Sequence, residues 1–397
     1  MKKFFSLVLV LFVVLTSAFA AGCKKEQKEF KVGLICLHDE SSTYDKNFID
    51  SMYRALEELG LPKTSLELAT GIGEDNSCYE KACELAATCD IIFADSFGHE
   101  PYMINAAKEN KDTVFCHATG TQAHTAGVDN FYNAFASIYE GRYLAGIAAG
   151  MKLNELIAAG EFTADDAKVG YVGAYPYAEV VSGYTSFFLG VRSVCPSATM
   201  EVVYTSDWYN YDKEYAAANR LIDGGCKLIS QHADSYGAPT ACEQKNVPNV
   251  TYNGSTVAKC PNTYIVTSKI DWAPYYVKMI KAVQEGTKVA EKDYVGTIAT
   301  GSVKLEAVGT CAAAGTQEAI DAAKAKLVAG TLHVFDCSTF TVGGQTVTSY
   351  QADVDDDGTF TGDTEVIKNG YFSESEYRSA PYFDLRIDGI TELQSND

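Results

Sequence analysis

Short, uninterrupted apolar runs alternate along the chain with longer stretches whose apolar residues recur every three or four positions. KVGLICL at 31–37 is the first such run and predicts a buried parallel strand. The loop HDESSTYDKN follows, then FIDSMYRALEELGL, with Met52, Leu56 and Leu59 at helical spacing and Gly60 near the end. A strand at Ser65–Ala69, a helix at Cys78–Thr88, the strand DIIFADSFG, a helix from Pro101 and the strand TVFCHATG continue the alternation. The run FYNAFASIYEGRYLAGIAAG at 131–150 reads as one central helix, because Tyr132, Phe135, Tyr139 and Tyr143 form an aromatic stripe. Gly141, Gly146 and Gly150 would let two neighbours approach it closely. Glu140 and Arg142 inside the run exclude a membrane span.

A second series starts at Lys168 and repeats the first. KVGYVGAYPY mirrors KVGLICLH, and SGYTSFFLGVRSV, TMEVVYTSDW and EYAAANRLIDGG supply helix, strand and helix. CKLISQHADSYG then matches CDIIFADSFG, sharing the tetrad Asp-Ser-aromatic-Gly at 95–98 and 234–237. From Thr263 come a strand, a helix (Ala273–Gln284), a further strand and a helix at 315–328. This order predicts the α/β class, with two doubly wound lobes whose third loops lie at the carboxyl ends of parallel strands and face each other across a ligand cleft. The expected layout is a signal peptide at 1–22, a tether at 23–30, a first lobe at 31–150 and a second lobe at 165–275. A crossover and return segment at 276–330 and a strand-rich acidic tail at 331–397 complete it.

Met1–Ala20 carries Lys2 and Lys3 before an uncharged apolar run, the layout of an export signal. Ala20-Ala21-Gly22-Cys23 resembles a lipobox, so Cys23 is the expected lipid attachment point and the cell membrane the expected location, on the extracytoplasmic face. The formal charge is −20, and −22 once the two lysines leave with residues 1–22. Nucleic acid is excluded as a partner on that charge, and anionic ligands are disfavoured. Twelve cysteines in an exported chain permit disulfides. Cys242 with Cys260 and Cys311 with Cys337 are the preferred pairs; Cys36 and Cys116 sit in strand-like runs as small hydrophobes.

No phosphate loop, G-x-S-x-G or H-E-x-x-H occurs, and no cofactor or metal is expected. Five of the six histidines (His38, His99, His117, His124, His232) fall in or beside strand-to-helix loops, but none is paired at ligand spacing. Asp353, Asp355, Asp357 and Gly358 resemble the start of a calcium loop, yet Thr364 stands at the twelfth position, which favours a solvated turn. The cleft loops instead collect Tyr44, Asp45, Asn47 and Phe48; Ser96 and Phe97; Trp208 and Tyr209; Asp234 and Tyr236; Asp271 and Trp272. Aromatic faces with a few carboxylates and amides suit a flat, uncharged ligand read at its edges.

These residues carry a family resemblance. Tyr139-Glu140-Gly141-Arg142-Tyr143-Leu144-Ala145-Gly146, FCHATG at 115–120, Asp45-Lys46-Asn47-Phe48, Ser206–Tyr209, QHADS at 231–235 and WAPYYV at 272–277 resemble motifs of the basic membrane protein (BMP) family. These are substrate-binding lipoproteins of purine-nucleoside ABC importers, and the likeness runs from about Lys31 to Gly330. The resemblance implies a type I periplasmic-binding fold, a non-enzymatic receptor for a purine nucleoside or base, and an ABC permease as partner. Phe48 and Trp208 match its stacking positions and Asp234 a position that binds ribose or the base edge. Asp45, Asn47, Ser96, Phe97 and Asp271 complete the expected site. Ile49 departs from the Asn many members have after the aromatic. Two other classes fit the same cleft, a nucleoside hydrolase or phosphorylase and a metal-ion receptor.

Overall fold

The computed structural model describes residues 29–355 and 361–394, so the signal segment, Cys23 and the second half of the DVDDDG stretch lie outside the described residues. Along the chain come β1 (Val32–Ile35), α1 (Thr43–Glu58), β2 (Leu66–Ala69), α2 (Asn76–Ala86), β3 (Ile91–Ala94), α3 (Glu100–Glu109) and β4 (Val114–Ala118). Next are β5 (Phe131–Ala136), α4 (Ile138–Ala158), β6 (Lys168–Gly173), α5 (Ala178–Val194), β7 (Thr199–Tyr204), α6 (Tyr211–Asp223) and β8 (Leu228–His232). They are followed by α7 (Gly237–Lys245), β9 (Asn249–Tyr252), β10 (Tyr264–Ile270), α8 (Ala273–Gln284), β11 (Asp293–Gly296), β12 (Val303–Leu305), α9 (Thr316–Val328) and, near the end, β13 (Ile390–Glu392).

The strands form two main sheets. The first has the order β11-β5-β4-β3-β1-β2 and is parallel throughout. The second has the order β12-β10-β9-β8-β6-β7-β13, parallel except where β12 runs against β10. Because β5 and β11 belong to the first sheet while β10 and β12 belong to the second, the chain passes between lobes after β5, after β10 and after β11. These passages are where the lobes can hinge.

One sequence expectation is corrected here. The run 131–150 is not one helix: Phe131–Ala136 is a strand, buried along its whole length, and the helix begins at Ile138. A parallel strand covered on both faces shows no alternation, so its aromatic spacing imitates a helical stripe. The small-residue face of α4 does admit two neighbours. A Cβ on Gly146 would lie 2.0 Å from the Phe187 carbonyl oxygen of α5, and one on Gly141 would lie 2.8 Å from Val303 of β12. Thus α4, which starts inside the stretch assigned above to the first lobe, packs on the second sheet.

The preferred disulfides are not formed. All eleven cysteines from Cys36 to Cys337 are free thiols. Cys242 is packed among Ala217, Leu221 and Ile229, while the Cys260 thiol faces the Thr256 carbonyl at 3.2 Å. After α9 the chain makes short two-residue pairings, Gln351–Ala352 with Thr364–Glu365 and Ile367–Lys368 with Tyr371–Phe372. Phe335, Phe372 and Phe383 pack into a small aromatic core of their own. This segment touches both lobes: the Ser379 N–H donates to Asp293 of β11 at 3.0 Å, and β13 extends the second sheet beside β7.

Candidate functional site

The carboxyl ends of the strands of both sheets meet around a cavity of about 400 Å³, its solvent-open part included. Leu37, His38, Tyr44, Asp45, Ser96, Phe97 and Thr119 line it from the first lobe, and Glu179, Trp208, His232, Asp234 and Tyr252 from the second. The two walls touch directly. The Thr43 N–H and Oγ1 donate to the Asp234 carbonyl at 3.0 and 3.1 Å, and the rings of Phe97 and Tyr177 approach to 5.7 Å between centroids.

On the first wall, α1 is started by Ser42, whose hydroxyl accepts from the Asp45 N–H at 3.2 Å, an N-cap bond that places Asp45 in the first turn. Asp45 Oδ1 accepts from the His38 N–H at 2.7 Å, and Oδ2 lies 3.4 Å from His38 Nδ1. Burial opposes the charge on Asp45, but the hydrogen bonds from His38 and Ser42 outweigh it and hold the carboxyl below its ordinary range. Tyr44 donates its hydroxyl to the Asp95 carbonyl at 2.7 Å, which fixes its ring at the cavity edge. Ser96 donates to Glu74 at 2.6 Å.

The second wall carries Asp234, whose carboxyl burial pushes well above the usual range, with the charges of Glu214, Asp45 and Glu179 adding to it. Glu179 is raised to about 7, also by burial, against the pull of Arg142. His232 Nε2 lies 3.4 Å from Glu179 Oε1 and Nδ1 lies 3.4 Å from the Tyr171 hydroxyl; burial, then the Arg142 charge, keep the imidazole neutral. The Arg142 guanidinium is fully buried 3.8 Å from the centre of the Tyr252 ring, and its nitrogens have no hydrogen-bond partner among the described residues. Trp208 packs edge-on to Tyr175 at 5.2 Å.

Of the residues expected from sequence, Asp45, Ser96, Phe97, Trp208 and Asp234 come together here, and three do not. Asn47 is buried and donates to the Ile270 carbonyl at 2.6 Å. Asp271 is held by Arg54 at 2.7 Å and Lys304 at 2.5 Å. Phe48 is one helical turn behind Tyr44 and stacks on Trp272 at 4.3 Å, so the expected pairing of Phe48 with Trp208 across a ligand is absent and Tyr44 occupies the first-lobe position at the cavity. Sequence reading missed Glu179 and Tyr252 as lining residues. His232 had a signal, its place in the QHADS run, but was read as a loop histidine. Among the described residues no Lys or Arg lines the cavity, so the arrangement offers aromatic faces and hydrogen-bond acceptors to an uncharged or cationic molecule rather than to a phosphate.

Residues 32–332 match the sequence profile of the Bmp family, described as ABC transporter substrate-binding protein PnrA-like. The chain belongs to that family. Similar to this Bmp protein is the purine-binding protein of Brucella abortus, 32% identical over 290 residues, covering 72% of this chain and 77% of the relative. A Haloferax volcanii protein provisionally assigned to glucose binding for an ABC transporter, TsgA13, is 32% identical over 251 residues, which span 63% of this chain and 60% of the relative. Among solved structures, ABC transporter solute-binding proteins from Conexibacter woesei (TM-score 0.62, 20% identity, 77% of this chain and 98% of the other) and Aeropyrum pernix (TM-score 0.65, 14% identity, 77% and 93%) share the fold. This Bmp protein is therefore an extracytoplasmic solute receptor of an ABC transporter, taking a small-molecule ligand for a membrane permease. The hydrolase and phosphorylase alternative falls with that assignment, since the family binds solutes and does not transform them. No helix among the described residues is long and apolar enough to cross a membrane.

Proposed function

We propose that the cleft takes a purine base or nucleoside and that the protein is held at the membrane by a lipid on Cys23. The observation that carries the ligand reading is the cavity wall itself, aromatic rings from both lobes (Tyr44, Phe97, Trp208, Tyr252) interleaved with Asp45, Glu179 and Asp234 and, among the described residues, without Lys or Arg. A purine stacks on such rings and donates its amino, imino or ribose hydroxyl hydrogens to the carboxyl oxygens of these acids. Stacking is worth about 1–3 kcal/mol per ring by analogy with nucleic-acid binders. Because the two walls belong to different lobes, that energy is complete only when the lobes are closed, and the ligand selects the closed state. The name of the Brucella relative supports the same ligand class. Isothermal titration with adenine, adenosine, inosine, guanosine and glucose tests it: saturable heat is expected from a purine, and binding of glucose alone would replace the reading with a sugar receptor.

The anchor rests on the small-residue run into Cys23 after an apolar leader. Metabolic labelling with a radioactive fatty acid should mark the parent and not Cys23→Ser; label that survives the substitution defeats the anchor.

A further inference from the structure

Behind the first wall of the cavity, Cys36 of β1, Asp45 of α1 and Asp95 at the end of β3 bring one ligating atom each to within 4.8 Å of one another, all buried. Asp95 is fully buried and does not line the cavity. Its Oδ1 accepts from the Leu37 N–H at 3.1 Å, its main-chain oxygen from the Tyr44 hydroxyl, and its Oδ2 has no hydrogen-bond partner among the described residues. Asp45 Oδ2 also makes no hydrogen bond among the described residues, and His38 Nδ1 lies 3.4 Å from it. Two buried carboxylates this close repel if both are ionised, and Asp95 Oδ2 is then left unsatisfied. One proton between them removes both faults.

We propose that Asp95 is a positioning residue: it holds a proton that it donates to Asp45, so that the ligand meets Asp45 as an ionised acceptor locked in one rotamer between Asp95 and His38. The other groups facing Asp95 supply no competing cation. Cys36 and Cys78 are thiols raised by burial, Tyr276 of α8 is a phenol raised by burial, and His99, whose Nδ1 lies 4.0 Å from Asp95 Oδ1, is lowered to about 4 by burial. His99 Nε2 lies 2.9 Å from the Ile72 carbonyl, which fixes the proton on that nitrogen. The groups facing Asp45 are His38, which stabilises its charge, and Asp234 across the cleft, whose acidity burial suppresses. Burial and then the neighbouring Asp45 charge raise Asp95 well above the ordinary carboxyl range, in the same direction as the geometry.

The ligand-binding half of this proposal rests on the purine reading; the proton does not, and the test keeps them apart. In the ligand-free protein at neutral pH, the infrared difference between parent and Asp95→Asn should contain the carbonyl stretch of a protonated carboxylic acid, present in the parent and lost in the variant. Adenosine affinity measured by calorimetry should show in the parent a fall at the Asp95 titration that Asp95→Asn, whose amide donates at every pH, lacks; the variant should otherwise bind within a few-fold of the parent and keep the pH steps that Glu179 and Asp234 of the cavity wall give to both proteins. Asp95→Ala, which leaves Asp45 without its donor, should bind roughly ten- to a hundredfold more weakly. A parent without the acid band, an Asp95→Asn variant as weak as Asp95→Ala, or stoichiometric zinc in the purified parent that is lost in Asp95→Asn would each overturn the proposal. A parent that binds no adenosine at any pH strikes the purine reading instead, and the acid band then decides the proton by itself.

Discussion

Replacing Glu374 by Gln separates the charge of this side chain from its packing. Glu374 reaches from the C-terminal segment into a buried position against α5, where the hydroxyls of Ser182 and Ser375 donate to it. Burial raises its carboxyl from 4.5 to about 7, the serines opposing and the charges of Glu179 and Glu140 adding to the rise. A folded-state value above the unfolded one means that the folded protein keeps a proton the unfolded chain has lost. Stability therefore falls as pH climbs from 4.5 through about 7 and is constant outside that window. The size of the loss is the shift multiplied by 1.36 kcal/mol per unit, about 3 kcal/mol. Gln cannot titrate, so urea unfolding of parent and Glu374→Gln should show a gap that widens by about that amount, in favour of the variant, between the acid and alkaline sides of the window. Glu214, raised to about 7 mainly by burial, tilts the two proteins alike and cancels in the difference. A gap that stays constant with pH would refute the reasoning, because it would mean that Glu374 titrates alike in the folded and the unfolded states.

Gly190→Ala should destabilise by about 3 kcal/mol, seen as a drop in thermal midpoint, since its Cβ would fall 2.1 Å from the Tyr143 carbonyl oxygen where α4 and α5 cross. Phe48→Ala should cost roughly 3–5 kcal/mol in stability through loss of the Trp272 stack, so its affinity is to be compared only under conditions where the variant is folded. Titration with a purine should change tryptophan emission chiefly through Trp208, the tryptophan at the cavity; Trp208→Phe should abolish the change, and a full response that persists would transfer it to Trp272. Denatured, unreduced protein should titrate all eleven thiols from Cys36 to Cys337, and a reductant should leave the thermal midpoint unmoved.

The doubled strand-and-helix series was legible because buried parallel strands and amphipathic helices leave different periods. The limit of that signal shows at Phe131–Ala136, where a strand covered on both sides has no period of its own and was absorbed into the helix after it. The cleft was legible as far as loop position goes. Which face of α1 meets the ligand depends on the rotation of that helix, set by the Ser42 cap and by Phe48 packing on Trp272, partners more than two hundred residues apart in sequence. Asp271 looked available for the same reason: nothing local announces that Arg54 and Lys304 neutralise it. Glu179 carries no local motif, and only the fold sets it beside His232 and in the field of Arg142.

The last strand, β13, has a consequence for solubility. Without it β7, TMEVVY at 199–204, would be an outer strand with a row of unpaired N–H and carbonyl groups, the kind of edge along which neighbouring copies add strands to one another. By pairing Ile390–Glu392 with Met200–Val202, and by placing Glu392 against Tyr184, Tyr204 and Arg386, the chain seals that border with its own end. Truncation before Ile390 should therefore give a protein that aggregates, even though everything removed lies beyond the segment shared with the family.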